Sequence, residues 1–440
     1  MKNIRKLFTL LLVIVMSCAM LLTSCKKKNG KDDGEENIET EAVKYEKPIN
    51  LWIDDDSYIM ENGYNKSGRL VATRFTCLSD GESTVLNYTY DNSGKITKLS
   101  YQWSFFYPVT ELYFVNVDGV SYAAGGKVEY YENGAVKNVC IDDFADVAFD
   151  KNGRVTSIYD YEELTLIYEG NSKNPVLYEY DGDEIEVNYN EKGYISSLSC
   201  DGEVLVAYTY DKNGNVATES IFDDDCVINE CQYDSKNNRT KITKTEYEDA
   251  SKTEINEKSV KEFTYNSKNM IVSAVATDYY DGEEKDKINI SFEYDSNDRM
   301  TKAYRNYGEE TYVVEYQYDS NGRPYSGIMI YYGSNGEVEY KQTVTKEYDS
   351  LNRVIKLTAM GYEGDALVSK DVEEYEYDNK CRETKQTRTE YGKNGAFEGK
   401  VVYETTYDAN GVATETITEY DENGNIIDSS ANNDYGSNEW

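Results

Sequence analysis

Tyr208-Thr-Tyr-Asp-Lys-Asn-Gly-Asn-Val216 is the stretch that decides the fold. Tyr208 and Tyr210 alternate onto one face of an extended segment, as side chains do at a period of two. Asp211 follows at once, and its short oxygen-bearing side chain can accept hydrogen bonds from backbone N–H groups just ahead of it. Three residues later Gly214 supplies a position free to turn left-handed. After it, Val216 begins a second alternating segment. An aspartate that opens a turn and a left-handed residue that closes it predict a β-hairpin with a type I turn and a bulge.

The phrase recurs. An aromatic followed by Asp or Asn, two free positions and then Gly, Asn or Asp begins at Tyr64, Tyr90, Phe149, Tyr189, Tyr210, Tyr233, Tyr265, Tyr294, Tyr318, Tyr348, Tyr377, Tyr407 and Tyr420. Chance at this composition would give about two, so the recurrence is an internal repeat. Only Cys381 breaks the rule at the last position. From Tyr265 to Tyr407 the spacings are 29, 24, 30, 29 and 30 residues, with a second turn between phrases, for example at Gly333-Ser-Asn-Gly336 and Gly392-Lys-Asn-Gly395. Each unit therefore reads strand, tight turn, strand, second turn. The expected fold is all-β: tandem antiparallel hairpins forming one continuous, long, twisted or partly curled meander sheet of some two dozen strands. The N-terminal half is more degenerate, with 59 residues between Tyr90 and Phe149.

The phrase resembles the YD repeat of the Rhs, Tc-toxin and teneurin proteins, which runs Tyr-x-Tyr-Asp-x-x-Gly-Arg and then an apolar residue. Tyr88 to Ile96, Tyr208 to Val216 and Tyr316 to Arg323 match it best, and arginine follows the turn at Arg69, Arg154, Arg299, Arg323, Arg353 and Arg382. The resemblance covers roughly residues 58 to 430 and implies long antiparallel sheets that spiral, sometimes into a hollow shell. Neither an Rhs-type core signature nor a toxin module is found near the C-terminus, which argues against toxin encapsulation.

The first residues carry a different message. Lys2, Arg5 and Lys6 precede the apolar run Leu7–Leu22, which closes on Leu22-Thr23-Ser24-Cys25 and is followed at once by Lys26. That string resembles a lipobox, and the expectation is a lipoprotein signal peptide over 1–24 with Cys25 as the lipid attachment point. Residues 25–48 are charged, nearly free of large apolar side chains, and read as a disordered tether. Residues 49–430 form the repeat domain and 431–440 a polar tail. The expected location is the outer side of a bacterial cell membrane.

Composition narrows the chemistry. The formal charge is −36, and −39 once the three basic residues of the signal leave. Such a surface repels nucleic acid and other polyanions, so no nucleic-acid partner is expected. There is no histidine, which removes Ser-His-Asp and Cys-His catalysis and His-ligated zinc. Neither a cofactor nor a metal site is expected. Acidic runs at Asp54–Asp56 and Asp223–Asp225 suit loose cation binding at most, and the turns such as Asp421-Glu-Asn-Gly-Asn425 lack the length and terminal glutamate of an EF-hand loop. Of the cysteines in the repeat region, Cys226 and Cys231 are nearest in sequence; either a disulfide or plain burial of small apolar side chains fits them.

Forty-four tyrosines against 11 phenylalanines suit sugar or protein recognition, although cross-strand stacking explains any single tyrosine as well. Tyr101, Trp103, Phe105 and Tyr107 alternate along one face and are the candidate ligand-contact aromatics; the competing reading is the buried face of an N-terminal layer. Three functions follow: a surface module binding an extracellular glycan or protein, a structural or client-enclosing scaffold, and a histidine-free carboxylate hydrolase. The first is preferred and the chain is read as non-enzymatic. Exposed strand edges are places where a neighbouring copy pairs, but the sequence sets no oligomeric state.

Overall fold

The computed structural model describes residues 43–432 apart from 54–55, 80, 82, 103–107, 142–144, 160–162, 223–225, 249–251, 253, 309 and 409–412. Cys25, Trp103, Phe105, Tyr107 and the Asp223–Asp225 run lie outside the described residues, as does most of the Asp54–Asp56 run. The described chain is nearly all β, as the hairpin phrase predicts.

The turns are the ones the phrase encodes. At Asp91 the carboxylate accepts from the amides of Ser93 (2.8 Å) and Lys95 (2.9 Å), and Gly94 N donates to Asp91 O at 3.1 Å. Gly94 has φ +87°, and the register slips between Thr89 and Tyr90, which is the bulge. The same backbone pair closes the turns at Asn65, Asp150, Asn190, Asp211, Asp234, Asn266, Asp295, Asp319, Asp349, Asp378 and Asp421. Cys381, the one departure in sequence, still adopts φ +61°. The turn Tyr131–Gly134 has this geometry with tyrosine in place of aspartate, and it fills the gap after Tyr90 that looked degenerate.

One feature differs from a single ribbon: the strands form two sheets. The first, from Lys44–Tyr45 to Thr110–Tyr113, has seven strands, and both Lys44–Tyr45 and Ile49–Ile53 pair with Asp56–Tyr64. The second runs through 27 strands from Val115–Val117 to Ile426–Asn432. Among the described residues no backbone pairing joins the last strand to Val115–Val117 as one joins every other neighbouring pair, and the sheet is not closed into a barrel. The sheet nevertheless curls, since Lys380 Nζ lies 5.7 Å from the centre of the Tyr122 ring.

The first sheet packs on one face of the second, called here the inner face. Tyr178, wholly buried, donates its hydroxyl to Asn50 O at 2.8 Å; Asn50 Nδ2 reaches Tyr210 Oη at 3.1 Å, and Arg239 Nη1 donates to Cys77 O at 3.0 Å. The backbones come close at Gly126, where a Cβ would sit 2.8 Å from Leu112 Cδ1. Leu51, Met60, Leu86, Leu99 and Leu112 from the first sheet share one core with Leu164, Ile185, Leu198, Val206 and Ile242 from the second. This contact reaches Phe263, which lies under Gly81. Beyond it the cores are small: Phe292, Met300, Ala303 and Tyr316 in one, and Val344, Val354, Leu357, Ala359 and Tyr375 in the other.

A spine links successive hairpins. From Tyr189 to Tyr407, nine phrase tyrosines donate their hydroxyls to a carbonyl at the start of the strand one hairpin back, for example Tyr210 to Ile195 O (2.6 Å) and Tyr377 to Val354 O (2.8 Å). Phenylalanine cannot do this, which accounts for the preference for tyrosine. In the later repeats, where arginine follows the turn, it grips its own aspartate and covers the next phrase tyrosine. Arg323 Nε is 2.6 Å from Asp319 Oδ2 and its guanidinium lies 4.5 Å from the Tyr348 ring centre. Arg299, Arg353 and Arg382 repeat the arrangement. The six described cysteines form no disulfide. Cys226 and Cys231 stand in one strand, five residues and so about 17 Å apart on opposite faces.

Candidate ligand-binding site on the outer face

Of the four aromatics singled out in sequence, only Tyr101 is described, and it is buried in the core shared by the two sheets. One group of tyrosines outside the spine gathers at the second-turn end of the strands between residues 279 and 391. Tyr312 stacks on Tyr331 with ring centres 4.8 Å apart and meets Tyr307 edge-on at 5.7 Å. Tyr280 and Tyr307 are among the most exposed aromatics, 52% and 40%.

On the outer face of the same strands, opposite the side from which Tyr312 and Tyr331 project, is a shallow depression of about 600 Å³ lined by Lys302, Tyr304, Gly308, Thr311, Val313, Tyr332 and the glycine turn Gly333–Gly336. Register places these groups: Lys302 pairs with Glu315, Tyr304 with Val313, and Thr311 with Tyr332. Because alternate residues share a face, all six side chains stand on the same side. Val313 is the floor, only 4% exposed. Lys302 Nζ lies 2.6 Å from Glu315 Oε1 and 4.8 Å from the Tyr304 ring centre. Hydrogen bonds to Glu315 and Tyr304 raise the Lys302 pKa above its ordinary value, so the ammonium stays charged.

Sequence reasoning missed this group because it follows a second pattern beneath the first. Eight residues after the phrase tyrosine, Lys241, Lys302, Lys356 and Lys385 each reach a glutamate on the next strand: Glu262 (3.2 Å), Glu315 (2.6 Å), Glu374 (3.1 Å) and Glu404 (3.5 Å). That offset is visible in the sequence once the repeats are aligned on their turns.

The inner face of the same region carries a different cluster. Lys346, Leu357, Glu373 and Arg388 form one row across four strands. Lys346 and Glu373 are buried, and the Tyr375 hydroxyl donates to Glu373. Burial drives the Lys346 amine well below its ordinary value against the pull of Glu373. Burial likewise pushes Asp371 up to about 6, with Arg388 opposing and Glu390 and Glu373 adding to it. A carboxyl whose folded pKa is raised costs the fold stability as pH climbs from its unfolded value through that folded value. Asp371→Asn is therefore expected to raise the thermal midpoint at pH 7.5 and to leave it nearly unchanged at pH 4; equal shifts at both would contradict the assignment. Among the described residues no group of three or more Cys, Asp or Glu side chains is placed to hold a metal ion.

No family model matches this chain, and no curated protein matches it. Two solved structures are similar over most of its length. In the crystal structure of TcdB2-TccC3-TEV the likeness covers 86% of this chain and 29% of that one, at 11% identity and a TM-score of 0.25. For TcdB2-TccC3-Cdc42 the figures are 84%, 27%, 11% and 0.25. This chain thus spans less than a third of either. A likeness of that size assigns no activity, and the all-β repeat rests on its own registers and turns.

Proposed function

We propose that this is a non-catalytic YD-type repeat lipoprotein, anchored through Cys25 and presenting its long sheet for binding to an extracellular glycan or protein. The observation that carries the reading is the division of labour among tyrosines. Those of the phrase from Tyr189 to Tyr407 are tied into the spine, whereas a second set is spare and gathers at one end of the strands, Tyr304 and Tyr332 on the outer face and Tyr280, Tyr312 and Tyr331 on the inner face with Tyr307 against Tyr312, beyond the core shared with the first sheet. Clustered tyrosines with a flat apolar face and a polar tip suit recognition, and repeated weak contacts add through avidity. Retention of the purified chain on cell-envelope fractions or on an immobilised glycan panel tests this. Retention on neither favours the enclosing scaffold, which draws its support from the curl that brings Lys380 over the Tyr122 ring.

The anchor has its own test. Cys25→Ala is expected to abolish lipid labelling of the protein in cells and to move it from the membrane pellet to the soluble exported fraction. An unchanged pellet fraction would remove the anchor from the reading.

A further inference from the structure

We infer that the depression between Tyr304 and Tyr332 is a binding site for a neutral saccharide; the inference rests on the binding reading above and names the ligand for one place. It comes from comparing the site with its own repeats. The outer face carries the same frame four times: a Lys–Glu bridge, a valine on the strand bearing the glutamate, and a tyrosine on the strand after that. In three of them threonine faces the valine (Thr243 and Val260, Thr358 and Val372, Thr387 and Val402), and lysine faces the tyrosine (Lys258 and Tyr279, Lys370 and Tyr391, Lys400 and Tyr420). Two of those lysines lie over the ring they face, Lys370 at 4.9 Å and Lys400 at 4.2 Å from its centre.

The fourth frame departs from the others at both places. Tyr304 stands where the others have threonine, which raises a second aromatic wall over Val313, and Thr311 stands where the others have lysine. A lysine would cap the Tyr332 ring, whereas threonine is too short to do so. Two changes at diagonal positions of neighbouring strands thus shape the same space, one by adding an aromatic wall and the other by leaving the Tyr332 ring uncapped. Structural upkeep of the sheet does not ask for either, since three sibling frames do without them.

The chemistry of the lining selects the ligand. Two tyrosine walls and a valine floor offer apolar surface for the C–H face of a sugar ring. Lys302 lines the depression as a donor for a sugar hydroxyl, and Glu315, bridged to it at 2.6 Å, offsets its charge. Because the two charges offset each other and the whole chain carries −36, an acidic sugar gains nothing here and is repelled at range. The volume of about 600 Å³ lies within the size of small-molecule sites generally and suits two or three sugar units.

The test titrates the purified chain with cellotriose, maltotriose and N,N′,N″-triacetylchitotriose, with trigalacturonic acid as the charged comparison, following tyrosine fluorescence and calorimetry. At least one neutral trisaccharide should bind in the micromolar to millimolar range. Tyr304→Thr and Thr311→Lys should each weaken it at least tenfold. Both variants install the residue that the sibling frames already carry, so they are expected to fold, and unchanged circular dichroism and thermal midpoint would confirm it. Tyr304→Phe, which keeps the wall, should stay within about threefold of the parent. Neutral sugar binding that both variants leave intact overturns the site, as does preference for the acidic trisaccharide. If no trisaccharide binds while the chain is still retained on envelope fractions, the inference falls and the binding reading stands; if nothing is retained at all, both fall.

Discussion

Replacing Tyr178 with alanine is expected to cost about 3–5 kcal/mol, the range for deleting a large aromatic from a packed core, and to loosen the two sheets from one another. Tyr178 is wholly buried where the first sheet lies on the second, and its hydroxyl donates to Asn50 O at 2.8 Å. The truncation therefore opens a cavity in the shared core and orphans a buried carbonyl. Thermal unfolding should shift down by several degrees, and limited proteolysis should cut first around residues 43–114. Tyr178→Phe keeps the ring and loses only the hydrogen bond, so about 1–2 kcal/mol is expected. A Tyr178→Ala chain with the parent midpoint and the parent proteolysis pattern would mean that the first sheet does not depend on this contact.

The hairpins were legible because their signal is local. Asp211 and Gly214 act within four residues of each other, and no tertiary contact is needed to see that they close a turn. The arginine that follows was legible as a position but not as a role, since its value lies in the next repeat: Arg323 reaches Asn352 Oδ1 at 3.2 Å and covers the ring of Tyr348, 25 residues on. The split into two sheets was not legible at all. It depends on pairing ending at Tyr113 and resuming at Val115, and nothing in the alternation of residues 110–123 marks that break. The turn at Tyr131–Gly134 was missed because tyrosine replaced aspartate at its first position, although Asn133-Gly134 is itself a turn signal.

Burial decides the reading of Tyr101, the one described member of the aromatic stripe. An alternating aromatic strand is equally suited to a binding platform and to the inside of a sandwich, and which it becomes depends on whether another layer covers it. At Tyr101 the core shared by the two sheets does so. For Tyr304 and Tyr332 the same ambiguity resolves the other way, because they face outward from the long sheet. Sequence distinguishes the two cases only after the repeats are aligned, when Tyr304 shows up as a departure at a position otherwise held by threonine.

Removing the Asp319 carboxylate should be the most damaging single change in the open half of the long sheet. Asp319 Oδ1 accepts from the amides of Asn321 (2.8 Å) and Arg323 (2.9 Å), and Oδ2 holds the Arg323 guanidinium at 2.6 Å. Asp319→Ala forfeits all three and releases Arg323 from the ring of Tyr348, for a combined cost of about 2–4 kcal/mol. Stability in a stack of neighbours is nearly a sum of local terms, so the loss should stay local. Amide exchange should quicken roughly 30- to 1000-fold in Thr311–Tyr318 and Pro324–Tyr332 and stay unchanged in Ile96–Tyr101. Asp319→Asn keeps an acceptor for the two amides and should show about half the effect. Burial alone would raise the Asp319 pKa, but the two amides and the guanidinium outweigh it and hold the carboxyl below its ordinary value; Asp150 and Asp295 are lowered in the same way, and at Asp91 and Asp211 the turn amides with the Ser93 hydroxyl or the Asn215 amide outweigh burial without an arginine. A carboxyl depressed in the fold contributes stability that is full above its unfolded pKa and is lost as pH falls through the folded one. The repeats should therefore loosen together on acidification below about pH 4, and Asp319→Ala should show less of that acid loss between residues 311 and 332 than the parent does. Equal acid sensitivity there in the two chains would mean that the turn aspartates do not carry the response.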